Sequence, residues 1–172
     1  PLDVPRAAGR RALGLGEGDT VVAVLPGSRR AEIQYIAPRL LGAAEAMHRQ
    51  RPRLRFVVPV VPGLRHLLEP LRKHHAPQAA LELVDGRSHE ALAACDVALV
   101  ASGTATLEAA LFERPMVVVY AMHALSWQMS KRMKYQPWVA LPNILLQEFA
   151  VPELLQGDAT PDRIAQAALA WL

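Results

Sequence analysis

Asp96-Val-Ala-Leu-Val-Ala-Ser-Gly-Thr-Ala-Thr-Leu-Glu-Ala-Ala-Leu-Phe112 reads as an apolar run, a small hydroxylated turn and an alanine-rich helix. An α/β sheet uses this succession to present backbone N–H groups to a phosphate. Glu108 complicates that reading, because a carboxylate repels phosphate. If it faces a ligand, it should accept from hydroxyls such as a ribose diol. A capping box would need Ser or Thr three residues earlier, but Ala105 stands there.

The same grammar extends in both directions. Thr20-Val-Val-Ala-Val-Leu25 is a continuous apolar run, as expected of a strand buried on both faces. Pro26-Gly-Ser-Arg29 is a turn, and Ala31 to Arg51 an amphipathic helix with Ile33, Ile36, Leu40, Leu41, Ala44 and Met47 on one stripe. Further strands are expected at Arg55–Val58, Leu81–Val84 and Met116–Tyr120, and helices at Arg6–Leu15, Leu64–His75, His89–Ala94, Leu125–Met133 and Asp162–Leu172. Trp138–Leu141 reads as extended, and Val151-Pro-Glu-Leu-Leu-Gln156 as a packed helix with a polar end. Strands alternating with helices predict a Rossmann-like α/β fold: a parallel sheet flanked by helices, in one domain over 1–172. Ligands of such sheets sit at the carboxyl ends of the strands.

In the first turn Gly27 lets the backbone approach a ligand, Ser28 can cap the helix and Arg29 can clamp a diphosphate with paired donors. The competing reading is an ordinary helix start with solvated arginines. Glu32 reads as favourable first-turn charge. In the second turn, Ser102, Gly103, Thr104 and Thr106 are phosphate-side candidates or simple turn formers, and Glu108 is a hydroxyl acceptor or a surface residue. Asp85-Gly-Arg-Ser-His89, which includes Arg87, is a loop able to hold a base edge or a plain connection. Asn143, in Leu141-Pro-Asn-Ile-Leu145, is a helix cap or a ligand contact. Trp127, Met129, Lys131, Arg132, Met133, Lys134, Tyr135 and Trp138 form a basic-aromatic cluster, read either as a surface for anionic lipid or as a packed helix with a solvated edge.

Composition narrows the classes. The chain has 172 residues, 52% of them hydrophobic and 20% charged, with a net charge of +3. That suits a globular protein with an anionic ligand, but the basic excess is too scattered for nucleic acid. No apolar stretch reaches the roughly 18–20 residues of a membrane span. Pro1-Leu-Asp-Val-Pro5 lacks the features of a signal peptide. The sequence does not begin with Met and stops within a helical pattern, so a fragment of a longer protein is expected. The single cysteine, Cys95, excludes an intrachain disulfide and reads as core, and the six histidines lack metal-ligand spacing. GxxxxGK[ST], a post-strand GxGxxG and GxSxG are all absent, which sets aside P-loop, dehydrogenase and serine-hydrolase chemistry.

Leu25-Pro-Gly-Ser-Arg-x-x-Glu-Ile33, Ala101 to Glu108, Pro115-Met-Val-Val118, Leu141-Pro-Asn143 and Glu153-Leu-Leu-Gln156 occur in this order and at these intervals. Together they resemble the lipid-A-disaccharide synthases, bacterial glycosyltransferases of the GT-B class, in their carboxyl-terminal, nucleotide-binding half. The resemblance implies one half of a GT-B fold. It also implies a hexosyltransferase reaction of lipopolysaccharide synthesis in Gram-negative bacteria. UDP-2,3-diacylglucosamine donates its sugar to 2,3-diacylglucosamine 1-phosphate (lipid X), with inversion, giving the lipid A disaccharide 1-phosphate and UDP. It implies no cofactor and no bound metal, a cytoplasmic enzyme peripheral to the anionic inner membrane, and leaves room for a homodimer. Carried over, Gly27, Ser28 and Arg29 meet the diphosphate, Ser102, Gly103, Thr104 and Thr106 form the second turn, and Glu108 accepts from ribose. Asn143 and Gln156 line the donor site, and the 85–89 loop with Arg87 meets uracil. Ala121 departs from the family, which commonly has a basic residue after Tyr120. The general base belongs to the amino-terminal half, so this chain alone is expected to be inactive. The alternatives are another GT-B enzyme acting on UDP-N-acetylglucosamine, an epimerase or a transferase, or a non-catalytic nucleotide-binding module.

Overall fold

The computed structural model describes residues 4–123 and 138–172. Its centre is a strand that the apolar run 20–25 predicts. β1 (Val21–Leu25) is buried along its whole length and pairs in parallel with β2 (Arg55–Val60) on one side and β4 (Val97–Ala101) on the other. Alternation sorts its side chains. Val22 and Val24 enter one core, while Val21, Ala23 and Leu25 enter the other. β3 (Leu81–Asp85) extends the sheet beyond β2, and β5 (Met116–Tyr120) and β6 (Glu153–Leu155) extend it beyond β4. All pairings are parallel, and the order is β3-β2-β1-β4-β5-β6.

Helices cover both faces. α2 (Arg30–Gln50) buries Ile33, Ile36, Leu40, Leu41 and Met47, the stripe that its periodicity predicts. It shares its core with α3 (Arg65–His75) and with α7 (Pro161–Leu169). A Cβ at Gly42 would lie 2.9 Å from the Pro161 ring, so glycine there sets how closely α2 and α7 approach. The opposite core gathers α4 (Ser88–Ala94) and α5 (Ala105–Leu111), with α1 (Arg6–Ala12) against α4. Cys95 sits at the end of α4, buried in this core, and burial pushes its thiol up to about 12. Arg10 is buried too. Its guanidinium donates to the carbonyls of Ala94, Gly16, Glu17 and Asp19 and to the Asp96 carboxylate, tying α1 to the entrance of β1 and β4.

One expectation fails and another holds in part. Val151–Gln156 is not a helix: Glu153–Leu155 is an edge strand on β5, and Gln156–Asp158 a 3-10 turn. Pro152 disfavours helical geometry at Val151, and β5 offers a free edge. Within Trp138–Leu141, Ala140 is extended as expected, but Leu141 already opens α6 (Leu141–Leu146), with Pro142 in its first turn. The helix expected at Leu125–Met133 lies outside the described residues.

Candidate functional site: a cavity across four strand ends

The chain leaves β1 and crosses toward β2 on one side, while β4 lies on the other. At this reversal the turns after the two central strands diverge and open a crevice. A cavity of about 560 Å³ occupies it, lined by the turns that follow β1, β2, β3 and β4. Among the described residues its charged lining consists of Arg29, Glu32 and Glu108.

The turn after β1 presents Gly27, Ser28 and Arg29 to the cavity. Gly27 has φ 102°, a conformation that strongly favours glycine, and a Cβ there would fall 2.4 Å from Glu32 Oε2. Arg29, not Ser28, occupies the cap position of α2, and the Ser28 hydroxyl caps nothing. The helix start is instead satisfied from within. Glu32 Oε2 accepts from the N–H of Ser28 at 2.8 Å and from that of Arg29 at 3.2 Å. The Arg29 guanidinium is 83% exposed, stands 3.9 Å from the same carboxylate and lines the cavity. Burial raises the Tyr120 phenol above its ordinary value, and the Glu32 charge adds to this.

The turn after β4 presents Ser102, Gly103, Thr104 and Glu108. Ser102 continues the ladder with its N–H on Val119 O, and its hydroxyl donates to Val139 O at 3.0 Å. That bond brings Val139 and Leu141 to the cavity wall. Glu108 is half-buried, with its carboxylate 3.6 Å from His89 Nε2, and the His89 ring leans on Phe112. Glu108 also lines the cavity. On the far side, Gly86 N–H donates to Val60 O, and Arg65 ties the β3 end down through Asp85 and Leu83 O. Gly86 and Ser88 thereby reach the lining.

Four candidates stand elsewhere. Thr106 is fully buried and donates to Gly103 O at 2.6 Å, so it shapes the turn from beneath. Arg87 turns to Glu90 at 3.5 Å. Asn143 is fully buried. Its amide donates to Val151 O and Glu153 Oε1, and its oxygen accepts from Val151 N–H. Gln156 spends both ends of its amide on the backbone of Met122. These amides pin α6 and the end of β5; they do not line the cavity. Ala121 is buried in the core shared with α2. The cluster from Trp127 to Tyr135 lies outside the described residues, and Trp138 stacks edge-on to Phe149 at 6.2 Å.

No polar residue marks the Pro59-Val-Val-Pro62 wall of the cavity. Glu153 was equally hidden. Its carboxylate accepts from the N–H groups of Val139 and Ala140 and from Asn143, capping α6 from a different strand. Among the described residues, no three His, Cys, Asp or Glu side chains gather as a metal site, and no helix is long and apolar enough to cross a membrane.

The lipid-A-disaccharide synthetase family profile matches residues 1–172. A lipid-A-disaccharide synthase of Albidiferax ferrireducens is 53% identical over the whole chain, and one from Paraburkholderia xenovorans is 50% identical. The chain spans 44% of the length of each. Among solved structures, E. coli ADP-heptose LPS heptosyltransferase II is similar at a TM-score of 0.64 and 12% identity, over 96% of this chain and 50% of that one. The parallel sheet flanked by helices is the fold shared with these GT-B glycosyltransferases.

Proposed function

Because the chain belongs to the lipid-A-disaccharide synthetase family, we propose that it is the UDP-sugar-binding half of a glycosyltransferase joining 2,3-diacylglucosamine from UDP to lipid X with inversion. The observation that carries the reading is the pairing of two turns, 26–29 and 101–105, across one cavity that also holds Glu108. The diphosphate lies against the first turn. Arg29 closes over it and offsets the charge that grows on UDP as the glycosidic bond breaks. Ser102, Gly103 and Thr104 form the opposing wall. Glu108, oriented by His89, accepts from the ribose hydroxyls, a role that suits a carboxylate and would not suit a phosphate contact. The 86–88 turn meets the base through its backbone. The general base and the acyl-chain surface belong to the amino-terminal half, so the acceptor binds where the two halves meet. The enzyme works at the cytoplasmic face of the inner membrane, with the 127–138 cluster against anionic lipid.

The test is calorimetry with UDP and with NAD. UDP binds the wild-type chain, and Glu108→Ala weakens it by about tenfold or more, the scale of losing hydrogen bonds to a charged group. Inorganic pyrophosphate, which has no ribose, binds both proteins equally. NAD binding without UDP binding overturns the reading.

A further inference from the structure

The turn after β1 is already in contact with an anion, and that anion is its own Glu32. Three features make this a built arrangement. The same oxygen, Oε2, takes two successive N–H groups, Ser28 at 2.8 Å and Arg29 at 3.2 Å. The space it fills exists only because position 27 lacks a Cβ, which would stand 2.4 Å from that oxygen. Arg29, the cation of the cavity lining among the described residues, stands 3.9 Å from the other carboxylate oxygen, Oε1. The carboxylate thus engages each kind of donor that a diphosphate would use at this turn: consecutive backbone N–H groups and a guanidinium.

We infer that Glu32 is an internal counter-anion that competes with the donor diphosphate for the Ser28 and Arg29 N–H groups and for the Arg29 guanidinium. The inference rests on the nucleotide reading above and adds a regulatory property to the same turn. Two anions cannot share these donors. The incoming diphosphate takes the N–H groups, and the Glu32 side chain rotates away, still within a few ångströms of it. Glu32 keeps the turn folded between ligands, lowers donor affinity and, by returning, helps expel UDP after transfer. It is a positioning residue and touches no reacting atom.

Glu32→Gln removes the charge and keeps an acceptor of the same length, so the turn retains its shape while its occupant becomes easy to displace. Calorimetry on the chain with E32Q is expected to show UDP and inorganic pyrophosphate binding about tenfold tighter than to wild type, with uridine within about twofold. Glu32→Ala carries the same expectation at lower melting temperature and serves if E32Q does not fold. If UDP binds the wild type and neither phosphate ligand tightens, the inference falls and the nucleotide reading stands. The inference also falls if uridine tightens as much as UDP. If pyrophosphate tightens while UDP binds neither protein, the competition of Glu32 with an incoming anion stands, but the nucleotide reading falls and with it the donor diphosphate as the competitor. If no ligand binds any of the proteins, both fall.

Discussion

Asn143→Ala separates a ligand contact from a structural pin. The Asn143 amide makes three hydrogen bonds, with Val151 O, Val151 N–H and Glu153 Oε1, each 2.8–2.9 Å long, from a side chain with no solvent exposure. Alanine removes all three and strands two backbone groups of Val151. At ~1 kcal/mol per bond the loss is about 3 kcal/mol. For a domain of this size that corresponds to a fall in Tm of ~6–12 °C. Glu153 also accepts from Val139 and Ala140 N–H, so Glu153→Ala breaks the same α6 anchor. Because the two residues share one bond, the double variant loses less than the sum of the singles. Thermal melts followed by circular dichroism give the stability. UDP calorimetry well below the Tm gives the affinity, expected within about threefold of wild type. A Tm within ~2 °C of wild type together with a tenfold loss of UDP affinity would refute the pin and restore Asn143 as a ligand contact.

Arg10→Lys should fare almost as badly as Arg10→Met. The buried guanidinium serves four carbonyls and Asp96 through a planar fork that an ammonium cannot copy. Urea midpoints should report a loss of about 3–5 kcal/mol for either variant, and a wild-type midpoint for Arg10→Lys would refute the account. Cys95 predicts a loss of stability in alkali. Burial raises its folded pKa from 9.0 to about 12, so the unfolded chain gives up the thiol proton first. Stability is therefore full below pH 9 and falls by about 1.4 kcal/mol per pH unit from there toward pH 12. Between pH 8 and pH 10, urea unfolding should show about 1.4 kcal/mol lost in wild type and less in Cys95→Ala. Equal losses would mean that the thiol does not carry the effect.

The sequence made the sheet readable because a parallel strand covered on both faces must be apolar without interruption. Val21–Leu25, Val97–Ala101 and Met116–Tyr120 are, and each is a strand. It made two of the cavity turns readable because glycine and small hydroxylated residues after such runs have few other uses. It failed at Glu153–Leu155, where three residues cannot display a period and pairing with β5 decides the conformation. It left open where Asn143 and Gln156 turn, and both bond within the protein, outside the cavity lining. A short polar side chain beside a proline or a turn looks the same whether its amide meets a ligand or a backbone eight or thirty-four residues away. Glu32 is first-turn charge, and it bonds to the Ser28 and Arg29 N–H groups. Spacing could not reveal that those bonds face the cavity.

The strand order also bears on how the molecule assembles. Residues 21–85 supply three adjacent strands, β3-β2-β1, and residues 97–155 supply the other three, β4-β5-β6. Each wing is built from neighbours in sequence, and the β1–β4 seam joins them late, since it must close the longest loop in the sheet. The cavity straddles that seam, with three of its turns from the first wing and one from the second. Neither wing owns the pocket. A molecule held across it therefore acts as a clasp on the docked pair. At a hundred times its Kd it adds about 2.7 kcal/mol to the docked state.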